Sequence, residues 1–548
     1  MCDIAVRLCP TAALGYTRVR FVRNLGQRRF KNLEDRCGGA RPTREDMFFS
    51  AAKHWKYWIA PLFAIALFIL YIWRQTPGHN WYLGDCAMYL MHARDLAEGL
   101  PYAHTAYVPQ PETFRIGPST YPPGYPFLLA PLYALYGYNF LAFKTLTNAL
   151  LALSTLLIYL YARRSTGDVA AWLIMFALGL SKFYFSVWNA LGSDAAFLAE
   201  LFLALLLQDV AEERGDLDRR PVLWGVILGA GAWYVYSTRS LGAALFLGMI
   251  VREVWRSWSR RGSMRTWLYL AALVTTFIPL VLVSSYLWHS DSTYGGQFVL
   301  SPTIWLNHLI TCLKLFSYLW INGISNSLRI AVWAISLPLA LWGLFQRLRR
   351  GPKLSETFFI CYMAVLIPYW DPVDRYLGPL YPIYLIYAWE GMNALLRFTR
   401  SSTATSLRWV AAAVVMAIGL SNLRPANLQA PDPDVASPAA SDVFAYIRTN
   451  TPADALIVAH EPRWVGLFTG RRSSGLPYDS RFSGVVDRAD ARYVLLFKRD
   501  PADTAYLSPL LAREPQRYVR IYENSEFEIY EVRRSAAHAS YLPRAWNL

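Results

Sequence analysis

Runs of apolar residues separated by short polar segments occupy most of the chain between residues 57 and 421. A helix needs about 20 mostly apolar residues to cross a bilayer, so several runs are short for a complete span. The pattern nevertheless predicts about eleven transmembrane helices. Their expected positions are Tyr57–Trp73, Asn139–Tyr161, Val169–Trp188, Asp194–Val210, Pro221–Tyr236, Leu241–Val254, Trp267–Trp288, Leu328–Phe345, Thr357–Trp370, Tyr376–Leu396 and Trp409–Ser421.

The charged loops give the expected orientation. With the N-terminus inside, five of them fall on the cytoplasmic side, and four of the five are clearly basic, as the positive-inside rule requires. An odd number of spans then places the C-terminus outside. These loops are Arg163–Arg164, the mixed Glu212–Arg220, Arg252–Arg265, Arg347–Lys353 and Arg397–Arg408.

Three segments outside the membrane are too long to be simple turns. Two are outer loops, residues 74–138 and 289–327, within a transmembrane domain predicted over 57–423. The third is the tail, with a Pro- and Ala-rich linker at 424–440 and an extracytoplasmic α/β domain at 441–548. A helix is predicted there at Asp442–Thr449, and strands at Ala455–Ala459, Tyr493–Phe497, Tyr518–Tyr522 and Phe527–Val532.

Composition supports a polytopic α-helical membrane protein. The hydrophobic share is 55% and the charged share 17%, against about 25% charged residues in soluble proteins. The six cysteines contain no CxxC pair and predict neither a disulfide framework nor a zinc site. The net charge of +16 is explained by basic cytoplasmic loops and by a basic tail over 1–56, so no nucleic-acid partner is expected. Met1 and Met47 both remain possible starts.

The first outer loop contains the clearest candidate for chemistry. Asp85 begins a segment with apolar residues at Met88, Met91, Leu96 and Leu100, which predicts an amphipathic helix on the membrane surface. Asp is a good N-cap residue, so a purely structural role is one interpretation. The other is a carboxylate at the membrane–water boundary that accepts a proton from a hydroxyl.

The same loop closes on a proline-rich motif. Four helix-disfavouring residues within Tyr121-Pro-Pro-Gly-Tyr-Pro126 exclude a regular helix through this stretch. One interpretation is a turn that leads into a short apolar helix, Phe127–Gly137. The other is a rigid cavity wall formed by Tyr121, Pro122, Pro123 and Tyr125.

Together these motifs resemble the GT-C superfamily of membrane glycosyltransferases. The early Asp85, the Ala93-x-x-Leu-x-x-Gly99 helix and the Tyr-Pro-Pro close are similar to the branch of the protein O-mannosyltransferases and the lipid A aminoarabinose transferase. The resemblance covers about Tyr57 to Ser421. It implies an inverting enzyme that takes a sugar from a polyprenyl-phosphate donor, with Asp85 as catalytic base.

Three further positions match the same families. Asp194 resembles a second acidic position of the active site, with an N-cap as the structural alternative. Arg239 resembles a basic residue that contacts the donor phosphate, although an arginine anchored at the interface is also common. Arg375 opens an Arg-Tyr-x-x-Pro motif and is a second phosphate candidate, with a plain salt bridge to Asp371 or Asp374 as its alternative.

The sequence leaves the substrates and the metal requirement open. The aminoarabinose transferase has a lysine where Tyr121 and Pro122 stand, so lipid A is a doubtful acceptor, and a lipid, glycan or protein acceptor is expected. The outer histidines, His79, His92, His104, His289 and His308, show no ligand spacing, so no metal site is assigned, although a divalent metal is conceivable. A transporter or lipid flippase is the alternative class, but such proteins usually carry polar residues at broken spans near the midplane.

The topology gives a first prediction. A reporter fused after Ser421 should be active only outside the cytoplasm, because the basic loops place that position on the outer side. An alkaline phosphatase fusion at this residue detects an outer location, and a green fluorescent protein fusion detects a cytoplasmic one. Strong cytoplasmic fluorescence from the Ser421 fusion would contradict the predicted number of spans.

Overall fold

The structure is a computed structural model that describes residues 44–110, 116–260, 263–288, 298–370, 372–424 and 434–533. The chain divides into two compact units, Met1–Ile59 and Ala60–Leu548. Most of the predicted tail over 1–56, the residues His289 and Asp371, and most of the predicted linker lie outside the described residues. Everything that follows concerns the second unit.

A helix occurs at each predicted span. The observed long helices are Arg44–Arg74, Phe140–Thr166, Asp168–Gly179, Asp194–Glu213, Pro221–Thr238, Ala243–Arg260, Met264–Trp288, Asn326–Arg350, Leu354–Leu366, Tyr381–Leu396 and Ser401–Ser421. In the described residues, four are both long and apolar enough to cross a membrane, namely Phe140–Thr166, Met264–Trp288, Asn326–Arg350 and Ser401–Ser421. The number eleven therefore stays a prediction.

Most of the helix limits differ from the predicted ones, and two of the predicted spans contain a break. The predicted Val169–Trp188 span is broken into Asp168–Gly179 and Lys182–Val187, because the Ser181 hydroxyl caps a new helix by accepting from the Tyr184 N–H at 3.2 Å. The late span starts at Tyr381 rather than Tyr376. Before it stand a short helix, Asp374–Leu377, and a 3-10 turn, Gly378–Leu380.

Shorter helices build the region between the long helices and the tail. Those of the first outer loop are Gly84–Glu98, the 3-10 turn Pro118–Thr120 and Gly124–Tyr136, and the second outer segment holds Pro302–Leu315 and the 3-10 turn Phe316–Trp320. Asp216–Arg219 and the 3-10 turn Ser240–Gly242 complete the loops. The helix Gly84–Glu98, here called the first outer helix, has buried side chains at Met88, Leu90 and Met91. Protein therefore covers Met88 and Met91 on its apolar face, and the position of this helix at the membrane surface stays a prediction.

One lysine fixes the start of the first outer loop. The buried Lys144 ammonium donates to the Thr76 carbonyl at 2.9 Å and to Asn189 Oδ1 at 2.8 Å, and it also contacts the Gly78 carbonyl. A buried cation needs several acceptors to offset its lost hydration. Lys144 therefore ties the loop to the helices directly before the first outer helix begins.

The tail is an α/β domain, as predicted. Its strands are β1 Leu456–Val458, β2 Arg472–Ser474, β3 Tyr493–Phe497, β4 Tyr518–Glu523 and β5 Phe527–Val532, in the order β2-β1-β3-β5-β4. β1 is parallel to β2 and β3, while β5 is antiparallel to β3 and β4. Its helices are Pro438–Asn450, Pro462–Thr469, Phe482–Arg488, the π-helix Asp503–Leu507 and Ser508–Arg513.

The tail domain and the first outer loop are directly bonded. The Val108 N–H donates to the Ser473 carbonyl at 2.8 Å, and the Ser473 N–H donates to the Ala106 carbonyl at 2.9 Å, so residues 106–108 extend the sheet beside β2. The His79 N–H donates to Asp434 Oδ1 at 3.0 Å. The tail domain is thus fixed against the loop that contains Asp85.

Two glycines allow the closest helix contact in the membrane domain. A Cβ atom at Gly391 would lie 1.9 Å from the Leu339 carbonyl oxygen, and one at Gly343 would lie 2.0 Å from that of Tyr387. We expect Gly391→Ala to lower the apparent melting temperature in detergent, with a cost of about 1–3 kcal/mol or more from overpacking. Gly231→Ala is the matched control, because nothing lies within 4 Å of that site and alanine favours a helix by about 1 kcal/mol. Equal melting temperatures for the two variants would contradict this packing.

Candidate active site

Asp85 is held by three side chains from distant parts of the sequence. Tyr121 OH donates to Asp85 Oδ1 at 2.7 Å, Arg463 Nη1 to the same oxygen at 2.7 Å, and Arg375 Nη2 to Oδ2 at 3.0 Å. The Asp85 side chain keeps 32% of its surface exposed. Both carboxylate oxygens are thus bound to cationic or hydroxyl donors, and one side of the group remains open.

The N-cap interpretation of Asp85 is wrong. The first outer helix has Leu83 at its N-cap, without a side-chain cap bond, and Asp85 lies within the first turn. An acidic group there also interacts favourably with the helix dipole. Gly84 allows the tail domain to approach, because a Cβ atom at this position would lie 2.3 Å from Glu461 Oε2.

The surrounding charges keep Asp85 ionised. Burial by itself raises the pKa of a carboxyl, but the guanidinium groups of Arg463 and Arg375 and the hydrogen bond from Tyr121 hold the pKa of Asp85 below its ordinary value. Burial and the neighbouring Asp85 charge raise the pKa of Tyr121 well above its ordinary value, so Tyr121 remains a hydrogen-bond donor.

Arg463 is the site residue that sequence reasoning missed. It belongs to the tail domain and stands in the first turn of the helix Pro462–Thr469, which follows β1. Its guanidinium also lies 3.4 Å from the buried Glu461 carboxylate and donates to Tyr121 OH at 2.9 Å. The only signal in the sequence was the run His460-Glu-Pro-Arg463 at the end of a predicted strand, which does not indicate a partner 378 residues away.

The proline-rich motif is only partly a cavity wall. Tyr121 and Pro122 line the cavity described below, whereas Pro123 and Tyr125 are buried behind it. Tyr125 OH shares a 2.8 Å hydrogen bond with Thr147 Oγ1. The helix begins at Gly124, earlier than the predicted Phe127, and a Cβ atom there would lie 2.7 Å from the backbone of Ser237.

Asp194 and Arg239 form a second acid–arginine pair. Arg239 Nη1 donates to Asp194 Oδ1, and both side chains are largely buried. Ser193 is the N-cap of that helix, so Asp194 is not the cap. Arg239 is therefore neither solvent-exposed nor unpaired, which removes the simple interface-anchor interpretation.

One tyrosine ring lies beside both phosphate candidates. The Arg239 guanidinium is 5.6 Å and the Arg375 guanidinium 5.4 Å from the centre of the Tyr376 ring. Such contacts are favourable because the ring face is negative. The Asp374 carboxylate accepts the backbone N–H of Arg375 at 2.9 Å, so the side-chain ion pair of Arg375 is with Asp85.

These groups surround one cavity of about 140 Å³. Asp85, Arg239 and Arg375 line it directly, whereas Asp194 contributes through its bond to Arg239. An acidic group and two arginines beside a wall that contains five aromatic residues suit a phosphate and a hydroxyl group. The other lining residues are Tyr89, Ile116, Tyr121, Pro122, Thr238, Ser240, Leu241, Phe298, Val365, Tyr369 and Tyr376.

Three of the outer histidines, His79, His92 and His308, make structural contacts, and none of these three lines the cavity. His79 Nε2 accepts from the Leu191 N–H at 3.0 Å, and His92 and His308 bond to backbone carbonyls. In the described residues, the group with metal-compatible spacing is His460, Asp500 and Asp503, in the tail domain. Its carboxylate oxygens already accept from His460, Tyr478 and backbone N–H groups.

Comparison with known proteins agrees with this geometry. Residues 120–288, which include the proline-rich motif, Asp194 and Arg239, match the family described as dolichyl-phosphate-mannose-protein mannosyltransferase. No curated protein matches the sequence.

Three solved structures show the same fold. ArnT from Cupriavidus metallidurans bound to undecaprenyl phosphate aligns with a TM-score of 0.51 and 12% identity, over 87% of this chain and 98% of that one. Archaeal oligosaccharyltransferase AglB from Archaeoglobus fulgidus, in complex with an inhibitory peptide and a dolichol-phosphate, aligns with a TM-score of 0.51 and 12% identity, over 85% of this chain and 73% of that one. Arabinofuranosyltransferase AftD from Mycobacteria aligns with a TM-score of 0.50 and 13% identity, over 86% of this chain and 40% of that one.

The chain is a membrane protein with the fold of the GT-C glycosyltransferases. The predicted resemblance is confirmed, and so is the predicted class of enzyme, a glycosyltransferase. Nothing in these matches supports the alternative of a transporter or lipid flippase.

The Arg463 contact gives a prediction on stability. Arg463→Gln should cost about 1–2 kcal/mol at pH 7, less than the 3–5 kcal/mol of a fully buried pair, because Asp85 is partly exposed and keeps Arg375. The pKa of Asp85 is lowered in the folded state, so its stabilising contribution is present above the unfolded pKa of about 3.9 and is lost as the pH falls.

Melting curves in detergent at pH 7 and pH 3.5 measure this difference. At pH 3.5 the part of the gap that comes from Glu461 should disappear, because burial raises the pKa of that carboxyl and protonation removes its charge, whereas the part that comes from Asp85 should persist, because the pKa of Asp85 in the folded state lies below its ordinary value. Arg492→Gln, which breaks the exposed pair with Asp454, should behave like wild type at both values. Equal melting temperatures of wild type and Arg463→Gln at both pH values would contradict the assignment of Arg463 to Asp85.

Proposed function

We propose that the protein is an inverting glycosyltransferase that moves a sugar from a polyprenyl-phosphate donor to an acceptor hydroxyl. The observation that carries this proposal is the shared cavity of Asp85, Arg239 and Arg375, with Tyr376 beside both arginines. The fold match to ArnT bound to undecaprenyl phosphate supports a lipid-linked donor. The reaction occurs at the outer face of the inner membrane, with the N-terminus in the cytoplasm and the tail domain outside.

The reaction is a single displacement. Asp85 accepts the proton of the acceptor hydroxyl while that oxygen attacks the anomeric carbon. The bond between this carbon and the phosphate oxygen breaks, and polyprenyl phosphate leaves with the bonding electrons. Arg239 and Arg375 stabilise the negative charge that develops on the departing phosphate. Asp194 keeps Arg239 oriented.

The two arginines on Asp85 have different accessibility, which suggests different tasks. The Arg375 side chain is 41% exposed, whereas that of Arg463 is 11% exposed and also faces Glu461. In this proposal Arg375 turns from Asp85 to the donor phosphate, which leaves one carboxylate oxygen available to the acceptor. Arg463 and Tyr121 keep the carboxylate in place.

Asp85→Asn tests the base. Asn removes the proton acceptor with little change in shape, and we expect transfer to fall by about 10²–10⁴. The assay follows release of polyprenyl phosphate and sugar transfer in nanodiscs, and the melting temperature reports folding. A folded Asp85→Asn protein with near-native turnover would contradict the role of Asp85 and direct attention to Asp194.

Arg239 tests the phosphate contact. Loss of a hydrogen bond to a charged group costs about 1.5–3 kcal/mol, so Arg239→Ala should lower donor use roughly 10- to 150-fold. Arg239→Lys should retain part of the activity, because the charge remains while the planar fork is lost.

A double variant separates this role from simple pairing. In Arg239→Ala/Asp194→Asn the carboxylate left without its arginine is neutralised, so stability should recover while donor use stays low. Recovery of full activity by the double variant would mean that Arg239 serves only to balance Asp194.

A further inference from the structure

A series of aromatic rings extends from the residue Tyr82, just before the first outer helix, over the tail domain. The ring centres of Tyr82 and His460 are 6.1 Å apart, those of His460 and Tyr478 5.4 Å, and those of Tyr478 and Tyr506 6.2 Å. Tyr82 stands three residues before Asp85. We call these four residues the aromatic track. It connects the start of the first outer helix with the surface of the tail domain.

Buried carboxylates fix the inner edges of the track. Tyr478 OH donates to Asp503 Oδ1 at 2.6 Å, and His460 Nδ1 is 2.5 Å from Asp500 Oδ2. Asp500 and Asp503 are almost fully buried. The Tyr478 hydroxyl and the His460 Nδ1 atom are therefore bonded from within, and the positions of these two rings are set before any ligand binds.

The two ends of the track are exposed to water. Tyr82 is 41% and Tyr506 58% exposed, and Tyr506 is the one large hydrophobic side chain that is exposed in the described tail domain, residues 434–533. It lies in the π-helix Asp503–Leu507. Turns of this kind are rare and occur frequently at functional sites.

The chemistry of the track suits a saccharide. The face of an aromatic ring is negative, and the C–H groups on one face of a sugar are made partly positive by the attached oxygens. Sugar hydroxyls need donors and acceptors nearby, and the exposed Asp479–Arg481 pair directly after Tyr478 offers both. Rings that alternate with such polar groups match a chain of sugars better than a lipid tail.

The sheet edge near the track argues against an extended peptide. Peptides commonly bind by adding a strand to a free sheet edge. Here the β2 edge is already occupied, because residues 106–108 pair with Ser473. A peptide would therefore lack backbone partners at the edge that faces the first outer loop.

We propose that the aromatic track binds the acceptor, and that the acceptor is a glycan whose end reaches Asp85. That the bound glycan is the acceptor rests on the proposed function, but binding of the glycan can be measured without any sugar transfer. It assigns the tail domain a second task besides supplying Arg463.

The test is binding of the full chain in nanodiscs to immobilised linear gluco-, manno-, galacto- and arabino-oligosaccharides, with unglycosylated peptides as the other class. Wild type should bind at least one oligosaccharide class. Tyr506→Ala and Tyr82→Ala should each bind that oligosaccharide about tenfold more weakly or worse, as is typical when an aromatic residue that contributes much of the binding energy is removed. Tyr506→Phe keeps the ring and should bind like wild type. Tyr286→Ala is the matched control, because Tyr286 is an exposed tyrosine outside the track.

The outcomes separate this inference from the proposed function. Asp85→Asn should bind oligosaccharides normally, since it leaves the track intact. A wild-type protein that binds glycans through the track but transfers no sugar would refute the proposed function alone. Binding to none of the oligosaccharides, binding unchanged by both alanine variants, or preferential binding of peptides would overturn the inference.

Discussion

A carboxylate that is partly withdrawn from water needs compensating positive charge, and the arrangement around Asp85 depends on that need. Two guanidinium groups and a phenol surround it, and they come from the first outer loop, from the segment before the helix Tyr381–Leu396 and from the tail domain. Removing one partner of a buried pair costs more than the pair contributes. The carboxylate of Asp85 therefore links these three segments to one another.

The second acid–arginine pair extends the same principle across the cavity. Asp194 balances Arg239, and Tyr376 contacts both Arg239 and Arg375. An anionic donor can then enter among arginines that are already oriented, which lowers the cost of ordering them on binding. Because the tail domain supplies Arg463 and is bonded to the loop through Ser473, the position of the tail domain and that of Asp85 are coupled.

Local signals in the sequence predicted the helices, the tail sheet and most site candidates. Apolar runs marked the helices well, and Asp85, Arg239 and Arg375 do meet at one cavity. The break at Ser181 was missed because its surroundings are as apolar as a continuous span. The burial of the first outer helix and the contact from Arg463 depend on how the tail domain packs, and no local pattern contains that information. Residue type made an N-cap one of the two interpretations of Asp85, but in the tertiary structure its carboxylate binds Tyr121, Arg375 and Arg463 instead.

A structure of the Asp85→Asn protein with a polyprenyl-phosphate sugar tests the central claim most directly. Cryo-electron microscopy in nanodiscs would show the phosphate and the side chains around residue 85. The account predicts a phosphate bound by Arg239 and Arg375, next to Tyr376, with Arg463 and Tyr121 still beside residue 85 and the anomeric carbon within reach of it. A donor phosphate bound away from both arginines, or a sugar remote from residue 85, would contradict it.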